Sequence, residues 1–321
     1  MLVRSVVTFL SLFCLQAAVA ADLKGWVLED SQYPTYQGLA GFFSALNQRS
    51  GGRFAGKIGG RDDVGNQKKV VPMLQKGELD VAVLTVAPLA DALPVLEVLQ
   101  LPFLFTDSDH MLKVLDGNIG KELEAKLAAK GYVVLTWYDG GSRSFYSRGK
   151  PLRWISDFRD KNIRVANRAV MKSMVGALDA KPSTQDFDEV AGLLSGGQLD
   201  AAENDLISYE TTGHYKIAPY YTFSNHTILP LALVVSSQRW QSLSDSDRTL
   251  FRAVARDSAI AEHKLQGQRE DAVRVKLEKE GVKFFKLDSA NVIARMKSTY
   301  APVLKSPDAT DLAVQIMAFR K

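Results

Sequence analysis

A six-residue segment occurs in two similar copies, and this near-repeat constrains the fold more than any other feature of the chain. Residues 77–82 are Gly-Glu-Leu-Asp-Val-Ala, and residues 197–202 are Gly-Gln-Leu-Asp-Ala-Ala, with four identities in six positions. Each copy follows a helix-like apolar stretch, so the glycine is suited to end a helix and the aspartate to enter a strand. The repeat predicts the same helix–strand unit in each of two similar lobes. The alternative is a chance match within a short window.

Helical and strand-like patterns alternate along the chain, which indicates an α/β fold with largely parallel sheets. Apolar residues with helical spacing, including Leu39, Phe42 and Leu46, precede the glycine pair 51–52. Because domains usually have about 100 to 200 residues, the length of 321 residues predicts two of them. Apolar strand-like runs occupy residues 79–86, 132–138 and 162–166.

One long helical pattern lies near the C-terminus. Ser244, with Asp247 three residues later, is typical of a helix start, and the pattern continues over 245–280 to Gly281. A helix of that length would span about 54 Å, enough to brace both lobes. A break into two helices near Gly267 is the alternative that the sequence leaves open.

The first twenty residues have the pattern of a secretory signal peptide. Arg4 precedes an apolar run over 6–19, and Ala18-Val19-Ala20 matches a cleavage site. Cleavage near Ala20 would remove Cys14, the one cysteine of the chain, and a cysteine-free exported protein suits an oxidising compartment such as a bacterial periplasm. We therefore expect the mature protein in the periplasm, with residues 1–20 removed and no segment embedded in the membrane.

Sequence features of enzymes are sparse. The chain has no P-loop and no G-x-S-x-G elbow, since the nearest string, 140–144, fails at its last position. Glu210 and His214 have helical spacing, but two ligands are too few for a zinc site. We expect no enzymatic activity, no metal and no cofactor. The formal net charge of +4 is too small to indicate binding to nucleic acid.

Two arginines are candidates for binding an anion. Arg143 follows a predicted strand and the Gly140-Gly141 bend, and Arg164 lies in the apolar string Ile163-Arg164-Val165. A buried guanidinium needs a partner, and its planar fork matches a carboxylate in two parallel hydrogen bonds. The partner of Arg164 is therefore either a bound carboxylate or an internal acid, and candidate internal acids are Glu203 and Asp186.

Seven short motifs follow one another along almost the entire mature chain. They are Ser50-Gly51-Gly52-Arg53, Gly77-Glu78-Leu79-Asp80, Leu101-Pro102-Phe103-Leu104-Phe105, Gly141-Ser142-Arg143, Asn162-Ile163-Arg164-Val165, 197–204, and Trp240 with Leu243. In this order the chain resembles the DctP-type substrate-binding proteins of tripartite ATP-independent periplasmic (TRAP) transporters. The resemblance implies a two-lobed, type II-like periplasmic binding protein fold with crossing interlobe strands and a long bracing helix. We assign 21–141 plus 230–269 to lobe I and 142–229 plus 270–321 to lobe II.

The resemblance also implies the residues of the binding site. Arg164 matches the carboxylate-binding arginine of the family, Arg143 a second arginine of the cleft, and Asn204 an asparagine that follows the second copy of the repeat. The sequence departs from the family at Gln67, where many members have glutamate, at Ala201, where glycine is usual, and over 158–162, which lacks the usual glycine. The other residues implied to contact the ligand are Phe187, Gln67, Thr85 and Tyr209.

The strings 109–117, 138–147 and 203–209 look like the branch of the family that binds hexuronates and related sugar acids. A hexuronate needs one arginine for its carboxylate and neutral groups for its hydroxyls, whereas a C4-dicarboxylate such as succinate or malate needs a second cation. Arg143 could serve either ligand, so both alternatives stay open. The implied partners are the small and large integral membrane subunits of a TRAP transporter. An exported enzyme acting on sugar acids and a receptor serving a sensor protein are the rival classes.

Overall fold

The structure, a computed structural model, describes residues 21–319, so the predicted signal peptide at 1–20 lies outside the described residues. Strands and helices alternate along most of this part of the chain, as the sequence predicts. The strands are β1 (Ala21–Trp26), β2 (Phe54–Gly59), β3 (Val81–Thr85), β4 (Tyr132–Ser147), β5 (Asn162–Arg164), β6 (Lys181–Ser183), β7 (Ala201–Asp205), β8 (Tyr220–Ser236) and β9 (Lys283–Lys286).

The longer helices pack against both faces of the strands. The α-helices are α1 (Pro34–Arg49), α2 (Arg61–Val64), α3 (Gln67–Gln75), α4 (Val86–Ala92), α5 (Ser108–Asp116), α6 (Asn118–Ala128), α7 (Ile155–Phe158), α8 (Ala169–Ala177), α9 (Val190–Ser195), α10 (Leu206–Thr211), α11 (Ser237–Ser242), α12 (Asp245–Lys279), α13 (Ser289–Tyr300) and α14 (Pro307–Ala318). Single 3₁₀ segments occupy Pro94–Gln100, Phe187–Glu189 and His214–Lys216.

One sheet of nine strands joins the two halves of the molecule, in the order β2-β1-β3-β8-β4-β7-β5-β6, with β9 beside β8. The outer pairs β1–β2, β1–β3, β5–β6 and β5–β7 are parallel. The central pairs β3–β8, β4–β8 and β4–β7 are antiparallel and β8–β9 is parallel, so the described sheet is mixed, with parallel pairs in the majority. Strands β4 and β8 are long enough to run through both halves, which confirms the expected crossing strands.

The near-repeat forms the same structure twice. Gly77 and Gly197 follow α3 and α9 with φ of 72° and 80°, the left-handed conformation that glycine adopts without a side-chain clash. Asp80 Oδ2 then accepts a hydrogen bond from the backbone N–H of Lys24, and Asp200 Oδ2 accepts one from that of Asn162, both at 2.8 Å. Each aspartate thus ties the start of its strand to the neighbouring parallel strand, so the match is structural and not a chance similarity.

Helix α12 runs unbroken for 35 residues and contacts both halves. Near its start, the Phe251 ring meets the Phe42 ring of α1 edge to face at 5.9 Å. Further along, Arg269 forms an ion pair of 2.8 Å with Glu210 of α10. The bracing role is therefore confirmed, and the alternative of a break near Gly267 is wrong.

The predicted boundaries of the two lobes stay a prediction. Helix α14, which the prediction assigns to lobe II, contacts lobe I, since the His110 Nε2 atom lies 3.3 Å from the carbonyl oxygen of Ile316. Tyr300 of α13 likewise donates a hydrogen bond to the carbonyl oxygen of Pro102. Within residues 21–319, no helix combines the length and the apolar character that crossing a membrane requires.

Candidate ligand-binding site

A cavity of about 480 Å³ lies where β4 and β8 cross between the halves of the sheet. Its walls come from both predicted lobes, and many of its residues follow the carboxyl ends of parallel strands, where ligands bind in open α/β sheets. The structure brings together six of the seven residues that the sequence implied. They are Gln67, Thr85, Arg143, Arg164, Phe187 and Asn204.

Arg164 is the last residue of β5, and it is 8% exposed. Its Nε and Nη2 atoms both donate to the carbonyl oxygen of Gln185 at 3.2 Å, and its guanidinium lies 5.5 Å from the centre of the Phe187 ring. Within residues 21–319 it forms no ion pair, so the internal partners considered from the sequence, Glu203 and Asp186, do not pair with it. Burial lowers the pKa of Arg164, but a guanidinium stays charged in proteins.

Arg143 of β4 differs from Arg164, because its charge is neutralised inside the protein. Its Nε atom lies 2.5 Å from Glu203 Oε2, and its Nη2 atom lies 2.9 Å from Oε1 of the same carboxylate. Burial alone would raise the pKa of Glu203, but the Arg143 guanidinium overcomes this and holds it at about 2. The two side chains form a bidentate ion pair that is almost inaccessible to solvent, with 13% and 0% exposed.

The Arg143 guanidinium also orients Asn204. Its Nη1 atom donates to Asn204 Oδ1 at 2.7 Å, and the backbone N–H of Asp205 donates to the same oxygen at 3.0 Å. Since the amide oxygen is occupied twice, the amide nitrogen of Asn204 is the group left to donate into the cavity.

Gln67 and Thr85 form a second polar pair on the opposite wall. Thr85 ends β3, and Gln67 begins α3, which Asn66 caps by accepting from the backbone N–H of Lys68 at 3.1 Å. Gln67 Oε1 accepts hydrogen bonds of 3.0 Å from both the backbone N–H and the hydroxyl of Thr85. As at Asn204, the amide oxygen is occupied and the amide nitrogen remains for a ligand.

The resemblance implied that Tyr209 contacts the ligand, but the structure places Tyr209 away from the cavity. Tyr209 is 0% exposed and lies outside the cavity lining. Its hydroxyl donates to the carbonyl oxygen of Ala218 at 2.7 Å, and its ring packs 4.8 Å from that of Tyr146. Tyr209 is therefore part of the core beneath α10, and the neighbouring Ser208 faces the cavity instead.

The structure adds polar residues that the motifs did not indicate as ligand contacts. Glu29, just after β1, and Asp205, at the end of β7, both line the cavity. Burial and the Asp205 charge raise the pKa of Glu29 to about 7. Two arginines, Arg61 and Arg168, also line it. In the structure each of the four lies at or shortly after the carboxyl end of a strand, namely β1, β7, β2 and β5, and no sequence motif marked these positions.

The crossing point itself is tied to α12. The backbone N–H of Asp139 donates to Glu262 Oε2 at 2.9 Å, and Asp139 Oδ2 lies 2.9 Å from His263 Nδ1. The hydrogen bond to Asp139 raises the pKa of His263 to about 9. Gly141 follows with φ of 77°, a conformation that a residue with a Cβ atom rarely adopts.

The two halves are joined by crossing strands, and a charged cavity lies between them with a long helix behind. This arrangement is that of a solute-binding receptor of the type II-like class. The family model described as bacterial extracellular solute-binding protein, family 7 (DctP), matches residues 27–308. The chain therefore belongs to the DctP family, whose members are receptors for solutes and not enzymes.

Similar proteins agree with this assignment over most of the chain. A solute-binding protein of Chromohalobacter salexigens is 31% identical over 301 residues, covering 93% of this chain and 90% of that protein. A crystal structure of a TRAP periplasmic solute binding protein from Chromohalobacter salexigens with bound D-glucuronate is 30% identical, with a TM-score of 0.87, and covers 93% of this chain and 100% of that one. A corresponding structure from Sulfitobacter sp. NAS-14.1, with bound β-D-galacturonate, is 29% identical, with a TM-score of 0.86 and the same coverage.

Proposed function

We propose that this protein binds a hexuronate, such as glucuronate or galacturonate, and that Arg164 holds the carboxylate of this ligand. The observation that carries the proposal is the buried guanidinium of Arg164, which lines the cavity and forms no ion pair within residues 21–319. A carboxylate would supply the missing negative charge in two parallel hydrogen bonds. The hexuronates in the similar crystal structures support this choice of ligand.

The state of Arg143 disfavours a C4-dicarboxylate. A second ligand carboxylate would need a second free cation, and the Arg143 fork is occupied by Glu203. Of the other arginines that line the cavity, Arg61 is paired with Asp188 at 3.4 Å, and Arg168 is exposed to solvent. In this proposal Arg143 is a positioning residue that aims the amide of Asn204 at a ligand hydroxyl.

Binding begins in this mechanism with the carboxylate at Arg164, with the Phe187 ring beside it. Closure about the crossing strands then brings the amides of Asn204 and Gln67 from opposite lobes onto the hydroxyls. In the structure the hydroxyls of Tyr33 and Thr211 lie 2.7 Å apart, a contact between the two proposed lobes. The ligand leaves chemically unchanged, because no step forms or breaks a covalent bond.

The setting of this function is also part of the proposal. The precursor is exported, cleaved near Ala20, and acts in the periplasm, where the closed form delivers its ligand to the small and large membrane subunits of a TRAP transporter. The boundaries 21–141 plus 230–269 and 142–229 plus 270–321 describe the two bodies that close. The family's role as extracellular receptors supports this setting.

Titration calorimetry on the ligand-stripped, refolded chain from residue 21 tests the ligand class. The panel contains glucuronate, galacturonate, gluconate, succinate and malate. We expect binding of a hexuronate by the wild type, and a loss of more than a hundredfold in Arg164→Lys, because a point charge cannot reproduce the guanidinium fork. Arg159→Lys is the matched control, since Arg159 is an exposed arginine of the same proposed lobe.

Two results would contradict the proposal. A dicarboxylate that binds more tightly than every hexuronate would overturn the ligand class, and hexuronate binding by Arg164→Lys within threefold of the wild type would overturn the role of Arg164. Recovery of the hexuronate after prolonged incubation, followed by chemical analysis, separates a receptor from an exported enzyme, which would convert it.

A further inference from the structure

The cavity walls carry charges of both signs, and each sign belongs to a separate set of contacts. The cationic set contains Arg164, whose guanidinium lies over the Phe187 ring. It also contains Arg61, which is paired with Asp188, the residue after Phe187. The acidic set contains Glu29 and Asp205. Neither of these acids forms an ion pair with any residue of the described chain, although both line a cavity that binds an anion in the proposed function.

Glu29 and Asp205 are held in place by hydroxyl groups. Glu29 Oε2 accepts a hydrogen bond from the Thr35 hydroxyl at 3.3 Å. Asp205 Oδ2 accepts from the Ser208 hydroxyl at 2.6 Å, and Asp205 Oδ1 accepts from the Ser208 backbone N–H at 2.8 Å. The Tyr33 hydroxyl, which also lines the cavity, reaches Ser208 Oγ at 3.4 Å. This wall is therefore rich in acceptors, and the cation beside it, Arg143, which lies opposite Asp205 in the β4–β7 register, is already neutralised by Glu203.

The remaining acceptor capacity of this wall determines which chemical groups fit against it. Each carboxylate oxygen has two lone-pair sites, so Glu29 and Asp205 can accept further hydrogen bonds from ligand hydroxyls. Above pH 7, where Glu29 is ionised, a ligand carboxylate at the same place would add a third negative charge beside those of Glu29 and Asp205. The charges of Glu29 and Asp205 already repel each other, which adds to the effect of burial on the pKa of Glu29.

We propose that Glu29 and Asp205 form the subsite for the end of the ligand remote from its carboxylate. This acidic subsite accepts hydrogen bonds from ligand hydroxyls and rejects a second carboxylate, so the protein selects acids with a single carboxylate. The proposal rests on the proposed function in one respect, since it takes Arg164 as the anchor of the carboxylate. It adds that Glu29 and Asp205, and not the arginines alone, determine how many carboxylates an accepted ligand can carry.

Matched ligands that differ in one carboxylate test this acidic subsite. D-glucarate is D-gluconate with the terminal alcohol replaced by a carboxylate, and glucuronate carries one carboxylate of the same six-carbon series. In calorimetric titrations at pH 8 we expect the wild type to bind the preferred monoacid at least tenfold more tightly than glucarate. In Glu29→Gln we expect the ratio of glucarate affinity to monoacid affinity to rise at least fivefold over that of the wild type.

The control variant is Asp30→Asn, which removes a negative charge one residue along the chain. Asp30 is exposed, lies outside the cavity lining, and accepts from the Gln32 backbone N–H at 2.8 Å, a bond that an asparagine oxygen can keep. We expect Asp30→Asn to leave the preference for the monoacid within twofold of the wild type. An equal gain of glucarate affinity in both variants would show a general charge effect and overturn the subsite.

The outcomes separate this inference from the proposed function. A wild type that binds glucuronate and glucarate equally well keeps the hexuronate proposal and refutes the acidic subsite, whatever the variants do. A wild type that prefers gluconate to hexuronates, and rejects glucarate, contradicts the proposed ligand but supports the subsite. A wild type that prefers succinate or glucarate to every monoacid refutes both.

Discussion

Removing the Arg143 guanidinium should cost much more stability than removing an ordinary partly exposed charge. In Arg143→Met, Glu203 would remain fully buried without its bidentate partner. Arg143, with smaller contributions from others, holds the pKa of Glu203 at about 2, against 4.5 for an ordinary glutamate, which corresponds to roughly 3 kcal/mol. Breaking a buried ion pair on one side costs about 3 to 5 kcal/mol, so both routes give the same magnitude.

A second substitution separates the loss of the pair from the loss of the arginine side chain. Glu203 Oε1 also accepts a hydrogen bond from the backbone N–H of Ala166 at 3.1 Å, and a glutamine oxygen can keep that bond. We therefore expect Arg143→Met/Glu203→Gln to recover most of the stability that Arg143→Met loses, because no uncompensated charge remains buried.

The assay is urea unfolding followed by circular dichroism, together with thermal melting, on ligand-free protein at pH 7. We expect Arg143→Met to lower the melting temperature on the order of 5 to 10 °C. In that variant the pKa of Glu203 rises above its ordinary value, so the penalty should shrink as the pH falls and the carboxyl is protonated. In the wild type the depressed pKa of Glu203 adds stability above pH 4.5, and this is lost as the pH falls towards 2.

One result would refute this reasoning. If Arg143→Met unfolds within about 1 kcal/mol of the wild type and instead loses ligand affinity selectively for dicarboxylates, then Arg143 is a ligand clamp. If Arg143→Met/Glu203→Gln loses as much free energy of unfolding as Arg143→Met, then the Arg143 side chain stabilises the protein through packing and not through its charge.

Two further predictions concern the crossing point. Gly141→Ala should destabilise the protein by roughly 1 to 2 kcal/mol, because an alanine is strained at φ of 77°. Gly149→Ala, where an added Cβ meets no atom within 4 Å, is its control in the same urea assay, and equal effects would exclude backbone strain. The second prediction follows from the raised pKa of His263, about 9 against 6.5, next to Asp139, Asp109 and Glu262. The stability that this ionised histidine contributes is fully present below pH 6.5 and is lost as the pH rises through 9, so the unfolding midpoint of His263→Gln should vary less than that of the wild type over this window. If the unfolding midpoints of the wild type and of His263→Gln change with pH in the same way, the prediction for His263 is wrong.

Local patterns predicted the elements of the fold well, because each depends on nearby residues. The two repeat copies form matching helix–strand units, and the pattern after Ser244 forms one helix, with the Ser244 side chain accepting from the backbone N–H of Asp247. The continuity of that helix through Gly267 could not be decided locally. A glycine costs a helix about 1 kcal/mol, and the packing of α12 on both halves outweighs this.

The partner of each arginine could not be predicted, because it depends on the order of the strands. Strand β7 lies between β4 and β5, so Glu203 is flanked by the strands that carry Arg143 and Arg164. In the β4–β7 register Arg143 lies opposite Asp205, and in the β5–β7 register Arg164 lies opposite Ala202. The registers leave Glu203 close to both arginines, and only the side-chain geometry, with Arg143 Nε 2.5 Å from Glu203 Oε2, assigns it to Arg143.

Tyr209 shows a similar limit on a smaller scale. Successive residues of a helix project about 100° apart, so Ser208 and Tyr209 of α10 cannot both face the same wall. Asp205 caps α10 by accepting from the Ser208 backbone N–H, which fixes the rotation of the helix. That rotation turns Ser208 to the cavity and Tyr209 to the core, whereas the motif alone indicates only that both residues are near the site.

The choice of ligand follows from the balance of charges around the cavity rather than from any single arginine. If Glu203 did not neutralise Arg143, two buried guanidinium groups would face the cavity and favour a ligand with two carboxylates. With the Arg143–Glu203 pair closed, Arg164 is the buried arginine of the cavity that remains to be matched, and Glu29 and Asp205 add charge of the sign that opposes a second carboxylate. Specificity built in this way depends on repulsion as much as on attraction. It follows that the substitution most able to change the ligand class lies at Glu29 or Glu203, and that changes at Arg164 should abolish binding without redirecting it.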